Sequence, residues 1–475
     1  MKTKILLFAL VFISFGQLYA QNETKYSSDQ IKEDLDYLYS TLQKTHYNLF
    51  VNTPKKEYQK AYNVLRKSIT DSLDLLNVYR QFQPFVALSK LAHCATDYPF
   101  EELYDLSFTL FPLNVHIDKK TAYISGNYSK NDSIIRGMEL LSINNVPIED
   151  VIAKIYTYFS GENDYLKNTL LDLFTFNRML WAIEQTPEKY TVVVKDNHGQ
   201  IHEYILKPIT VEDFENEISE ETQFLQSERE FKVIENIAYI KPGPFLNLNS
   251  DFDNLDIASL EKGEFMYFID SVFTEIKKIG LNNLIIDLRN NGGGSNTFSD
   301  ELLAYFADKP FKFCSKFEVK TSQITKDFWV QVEDSNLIDL KEQILNHKNG
   351  DVFISEIPFH NTKPDSLRFH GNVYVLINRY SYSQATVTAA MVQDYGFGIL
   401  IGETTADIPT TYGSIHQFKL PNTNITISYP KGFVVRPNGD DTFHGVVPEF
   451  IVDENIFTKR DEILEYTLNL IREGN

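Results

Sequence analysis

From Val373 to Ile377 every side chain is apolar or aromatic, with branched residues prominent, the pattern of a strand buried on both faces. A polar break from Asn378 to Ser383 follows. Small and helix-compatible residues then run from Gln384 to Tyr395, with Ala385, Ala389, Ala390 and Met391 allowing close packing, until Gly396 stops the helix. Ile399-Leu400-Ile401 opens another buried strand. Leu284 to Arg289 repeats the theme: a strand, a loop from Asn290 to Ser295, then a helix from Phe298 to Phe306. Ile237 to Ile240, and a helix through Met266, Ile269, Val272, Phe273 and Ile276, come before it. Strands alternating with helices predict parallel β-α-β units, hence an α/β core over residues 233–475. Residues 310–370 break the rhythm and predict an insertion bordering a cleft. Beyond it, Ile415–Phe418 and Ile425–Ser428 predict antiparallel strands, and Glu462–Ile471 a docking helix.

Upstream the periodicity changes. Ile31, Leu35, Leu38, Tyr39 and Leu42 recur at helical spacing behind a helix start at Ser28 and Asp29. Tyr58, Tyr62, Val64 and Leu65 mark a second helix, and Leu75, Val78, Phe82, Phe85, Val86 and Leu88 a third. Residues 21–102 therefore predict a helical cap. Residues 103–210 predict a mostly β module with one or two helices, with strands at Phe111–Ile117, Thr121–Ile124, Tyr190–Val194 and Tyr204–Leu206. The charged stretch 211–232 reads as a linker.

Candidate chemistry sits in the two breaks of the core. A serine at a strand-to-helix turn, as Ser383 is, exposes its hydroxyl beside the free amides of a helix N-terminus, which suits a nucleophile; a helix cap would place a serine there equally well. Gly292-Gly293-Gly294 leaves amide hydrogens unshielded, so an anion or developing oxyanion can approach them. The loop is not a dinucleotide fingerprint, because Thr297 stands where a third glycine is needed, and it has no Gly-Lys-Ser/Thr phosphate loop.

Taken together these stretches resemble the C-terminal processing, or tail-specific, serine protease family. The matching residues are Asp287-Leu288-Arg289-x-Asn291-x-Gly293-Gly294, Ser381-x-Ser383-x-Ala385, Gln393-Asp394-Tyr395-Gly396 and Gly402-Glu403-x-Thr405, with Gly445-Val446-Val447-Pro448-Glu449 a looser match. The resemblance implies a ClpP/crotonase-like protease core. Within it Ser383 is the nucleophile, and the amides of Gly293 or Gly294 and of Gln384 form the oxyanion hole. In the lysine-dependent branch the base lies 25 residues after the serine, where this chain has Ile408; the next lysine is Lys419. The chain is thus more similar to the branch of the tricorn core protease, whose base is a histidine from near the helical cap. That implies His93 as general base and Asp441 as orienting acid, with His416 and His444, and Asp440 and Glu449, as alternatives. Gly137-x-x-Leu140-x-x-Ile143-Asn144-Asn145 resembles a PDZ turn, with Asn145 in the place of its last glycine, and PDZ domains bind extended peptides by adding a strand. The same superfamily includes interphotoreceptor retinoid-binding protein-like domains, so a catalytically inactive peptide- or ligand-binding protein is the second reading.

Composition narrows the partners. A net charge of −20 argues against nucleic acid, which demands basic patches. Met1 to Lys4, an apolar run from Ile5 to Phe15 and Leu18-Tyr19-Ala20 read as a signal peptide over residues 1–20, so the expectation is an exported protein, periplasmic or secreted, without stable membrane insertion. The expected substrate is an unfolded polypeptide or peptide. No Cys-x-x-Cys, His-Glu-x-x-His or calcium-loop pattern occurs, so no metal and no cofactor are expected. Cys94 and Cys314 are the two cysteines, and export leaves a disulfide between them open.

Overall fold

The structure, a computed structural model, describes residues 24–98, 108–218, 228–247, 263–332, 338–458 and 460–474; the leader-like segment 1–20 lies outside them. Helix α1 (Ser28–Thr45) starts at Ser28, as the sequence reading has it, with Ser27 as its cap. Ser27 closes a capping box with Gln30, each side chain accepting the other's backbone N–H. With α2 (Lys55–Ser68) and α3 (Leu75–Ala87), whose Asp74 cap accepts the Asn77 N–H, it forms the cap. Its core of Ile31, Leu35, Leu38, Tyr58, Phe82 and Val86 continues onto Phe418, Ile427 and Tyr429 of the C-terminal core. The cap is therefore fused to the core rather than tethered to it. The chain leaves it through β1 (Ala95–Thr96).

The second module is built from β2 (Thr109–Leu110), β3 (Leu113–Asp118), β4 (Thr121–Asn127), β5 (Glu139–Ile143) and β6 (Val146–Pro147). Helices α4 (Ile148–Tyr156), α5 (Asp164–Phe174) and α6 (Phe176–Ile183) follow, then β7 (Tyr190–Lys195), β8 (Ile201–Leu206), β9 (Ile209–Thr210) and α7 (Val211–Glu217). Its main sheet runs β3-β4-β5-β7-β8 with β6 paired to β5, and β2 pairs with β9. Asn144 and Asn145 turn the β5–β6 hairpin with φ of 50° and 64°, the left-handed region that asparagine tolerates best after glycine. Three helices stand where one or two were expected. The stretch read as linker begins as α7: Thr210 caps it, Val211 and Phe214 are fully buried, Glu215 pairs with Arg178, and Glu212, Asp213 and Glu217 are exposed. Its charge density hid two anchor residues one helical turn apart.

The core comprises β10 (Glu230–Ile234), β11 (Ile237–Lys241), α8 (Glu264–Ile279), β12 (Asn283–Asp287), α9 (Asn296–Ala304), β13 (Lys316–Lys320), α10 (Gln323–Val330), α11 (Ile338–Asn346) and β14 (Val352–Ile354). It continues with β15 (Asn372–Ile377), α12 (Gln384–Tyr395), β16 (Ile399–Gly402), β17 (Thr411–Lys419), β18 (Thr426–Val435), β19 (Phe450–Ile451) and α13 (Glu462–Glu473). Strands run in the order β10-β11-β12-β15-β16-β19, all parallel from β11 onward. One face packs on α8, α9 and α12 and the other on α13, which is why β12 and β15 read as continuous apolar runs.

Residues 310–370 do more than border the core. Their β13 pairs with β18 and β14, so they complete a second, antiparallel sheet, β1-β18-β13-β14 with β17 on the free side of β18. Cys94 and Cys314 are buried free thiols.

Candidate active site

Three neighbouring strands deliver their C-terminal loops to one place. β12 pairs in parallel with β15, Asp287 opposite Leu376, and β15 with β16, Ile377 opposite Gly402. The glycine loop, the Ser383 turn and the segment after Gly402 therefore leave the same edge of the sheet, where ligands collect in open α/β folds.

Ser383 does not cap its helix. It precedes α12 with φ 52° and ψ −121°, strained for a residue with a Cβ, and its side chain makes no capping bond. Its N–H donates to Asp407 Oδ2 at 2.6 Å, and the Tyr382 N–H to the Asn291 carbonyl at 2.9 Å. Gly293 packs directly on this turn. A Cβ there would stand 2.7 Å from the Gln384 nitrogen, 2.7 Å from the Tyr382 carbonyl oxygen and 2.8 Å from the Ser383 Cβ, and its φ is 92°. The Gly293 N–H is already taken by Asn291 Oδ1 at 2.9 Å. Gly294 forms a parallel bridge with Phe245 in which Phe245 donates to Gly293 and Ser295 donates to Phe245. The bridge leaves the Gly294 N–H directed away from Phe245. Among the described residues neither that amide nor that of Gln384, at the first position of α12, has an acceptor.

His93 reaches the turn from the other side. It lies between α3 and β1 and is 9% exposed, its ring 6.2 Å from that of Tyr382 and its Nδ1 buried without a partner among the described residues. Two residues of the α4–α5 link hold its backbone: Glu162 Oε1 accepts the Ala92 N–H at 3.3 Å, and the Ser160 hydroxyl donates to the Cys94 carbonyl. Asp407 is 2% exposed and lies within electrostatic reach of His93. Burial pushes its carboxyl up, against the pull of His93 and of the Ile408 and Ser383 amides.

The other sequence candidates have partners and exposures of their own. Asp441 is exposed on the loop before Gly445. Asp440 pairs with His444 at 3.0 Å on the same loop. His416 sits on β17 with Nε2 3.3 Å from the Ile324 carbonyl, and burial pushes it down to about 4. Glu449 Oε2 accepts the Leu400 N–H at 2.7 Å, Lys419 is exposed, and Ile408 is buried beside Asp407. Sequence reading missed Asp407, one position before the place inspected for a lysine, and Glu162, which no motif marks. Among the described residues no group of three His, Cys, Asp or Glu side chains is placed to hold a metal ion, and no helix is long and apolar enough to cross a membrane.

Known proteins share these parts. Residues 254–452 match peptidase family S41, and residues 111–218 match a PDZ domain. The tail-specific protease of Haemophilus influenzae is 32% identical over 122 residues, 26% of this chain, and the match spans only 12% of that relative. Mature CPAF complexed with lactacystin superposes with a TM-score of 0.65 at 15% identity, over 94% of this chain and 98% of that one. Mature CPAF alone gives 0.63 at 16% identity, over 94% and 97%. These structures share the fold over nearly the whole described length, cap and PDZ domain included. The chain thus carries, behind a segment that matches a PDZ domain, a segment that matches peptidase family S41.

Proposed function

We propose that this protein is a serine peptidase that cleaves unfolded or C-terminal peptide segments in the cell envelope. Ser383 is the nucleophile, His93 the general base, and Asp407, in place of Asp441, the acid beside them. The observation that carries this reading is the Ser383 turn: strained, uncapped, held by Asp407 through its amide and pressed against Gly293. Strain of this kind costs about 1–3 kcal/mol and persists where a side chain must be aimed.

His93 takes the proton from Ser383 Oγ as that oxygen bonds to the scissile carbonyl carbon. The carbonyl oxygen becomes an oxyanion, met by the free amides of Gly294 and Gln384; Gly293 serves by letting its loop approach. His93 then returns the proton to the departing amine, and water repeats the sequence on the acyl-enzyme. Export to the envelope is supported by the leader-like segment 1–20.

In the test, the protein without residues 1–20 hydrolyses an unfolded polypeptide, and Ser383→Ala lowers the rate at least about a thousandfold while peptide binding persists. His93→Ala does the same with an unchanged thermal transition. Among the described residues Ser383 Oγ makes no hydrogen bond to His93, which favours the second reading, a binding protein on this fold. Equal hydrolysis in wild type and Ser383→Ala, or none in either, leaves that reading in place.

A further inference from the structure

The PDZ domain contributes a side chain to the centre just described. Glu162 lies in the link before α5, whose N-terminus is capped by Asn163. Although the residue is only partly covered, its Oε2 is buried and has no partner among the described residues; the same holds for Asp407 Oδ1 and His93 Nδ1. Its Oε1 accepts the N–H of Ala92, the residue before His93. The ionisable groups facing Glu162 are Asp407 from the loop after β16 and Tyr382 from the turn before α12, and Asp407 in turn faces His93. Three orphan polar atoms thus belong to side chains from three parts of the chain that are linked through Asp407.

The placement of Glu162 is not incidental, because α5 is docked on the nucleophile turn along its length. Tyr165 donates to the Thr404 carbonyl at 3.0 Å, Arg379 donates to Thr169 Oγ1 at 3.1 Å, and Tyr380 donates to Asp172 at 2.8 Å.

We propose that Glu162 is a positioning residue for the hydrolysis: its carboxylate, opposite Asp407, fixes the His93 segment and stabilises the positive charge the imidazole gains on taking the Ser383 proton. The idea rests on the peptidase reading. Burial and the facing Asp407 push the Glu162 carboxyl up to about 7, so it gains its charge near neutrality. The ionised form then adds a second negative charge beside the ring, and the base performs better as pH rises through that point.

The experiment has two arms. In the first, kcat and KM for hydrolysis of an unfolded polypeptide are measured against pH for wild type, Glu162→Gln and Glu162→Asp. Glu162→Gln keeps an acceptor for Ala92 but never ionises. It is expected to converge with wild type below about pH 6 and to fall about tenfold behind in kcat above about pH 8, with KM little changed. Glu162→Asp restores part of the difference. A uniform drop at every pH, or no drop, overturns the proposal, since a merely structural role would not reshape the profile. The second arm needs neither activity nor a Glu162 variant. The 13C-carboxyl resonance of Glu162 should titrate near 7 in the wild type and lower in Asp407→Asn, where the like charge is gone. An unmoved midpoint overturns the pairing, while hydrolysis that survives Ser383→Ala overturns the peptidase reading instead.

Discussion

A single methyl group would disturb the Ser383 turn. Gly293 has φ 92°, and its missing Cβ would fall on Gln384, Tyr382 and Ser383 backbone or Cβ atoms, none of which can swing away. Gly293→Ala is expected to destabilise the protein by about 1–3 kcal/mol and to lower kcat/KM far more than that loss of folded protein explains. Parallel thermal melts and hydrolysis rates check this. Serine and glycines were legible because each is defined by its own backbone need: a sharp turn, an unshielded amide. Asp407 was not. Its part depends on an oxygen 2.6 Å from the Ser383 amide across a separation of 24 residues, and no local pattern encodes that distance.

At the scale of elements, two of the family-like motifs prove to be anchors. Asp287 and Arg289 pair with each other, and Arg289 also grips Asp461 at the start of α13 through Nη1 and Nη2 at 2.6 and 2.9 Å. This ties the strand before the glycine loop to the helix on the opposite face. Asp394 near the end of α12 receives a bidentate pair from Arg436, at 3.0 and 2.6 Å, with both side chains buried, and Arg436 also donates to Gln393. Helix α12 is thereby locked to the end of β18. Arg436→Met strands a buried carboxylate and is expected to cost about 3–5 kcal/mol in denaturant unfolding. Adding Asp394→Leu should recover much of it, because the desolvated charge goes too. Periodicity exposed both helices; it could not reveal which polar residue faces which, because the partners lie on different layers.

Over the whole molecule the cap and the antiparallel sheet share a core, and two histidines, His46 buried and His416 half-buried, sit at their seam. His46 follows α1, and Tyr47 beside it donates to the Pro430 carbonyl of β18. Burial, then Lys320, pushes His46 down to about 3, while burial and Lys431 push His416 down to about 4. Each binds fewer protons folded than unfolded once the pH drops below its unfolded value of about 6.5. Their contribution is complete above that value and drains away as pH falls toward the folded values. The thermal transition is expected to decline from about pH 6.5 toward 4, and His46→Gln combined with His416→Gln to flatten the decline. Calorimetry across that range is the check.

The sequence by itself determined the order of strands and helices, the three-part organisation, the serine at its turn and the glycine loop, because each follows from side-chain period or from a backbone requirement within a few residues. The helix at Val211–Glu217 escaped because only two apolar residues mark it. Tertiary structure alone decided that Asp407 accepts the Ser383 amide, which glycine amide stays free, and that Glu162 faces Asp407. Those relations exist only once β12, β15 and β16 align their ends and α5 docks on them. Hydrogen bonds and buried charges are settled at about 3 Å between atoms, whereas a sequence records only what lies next along the chain.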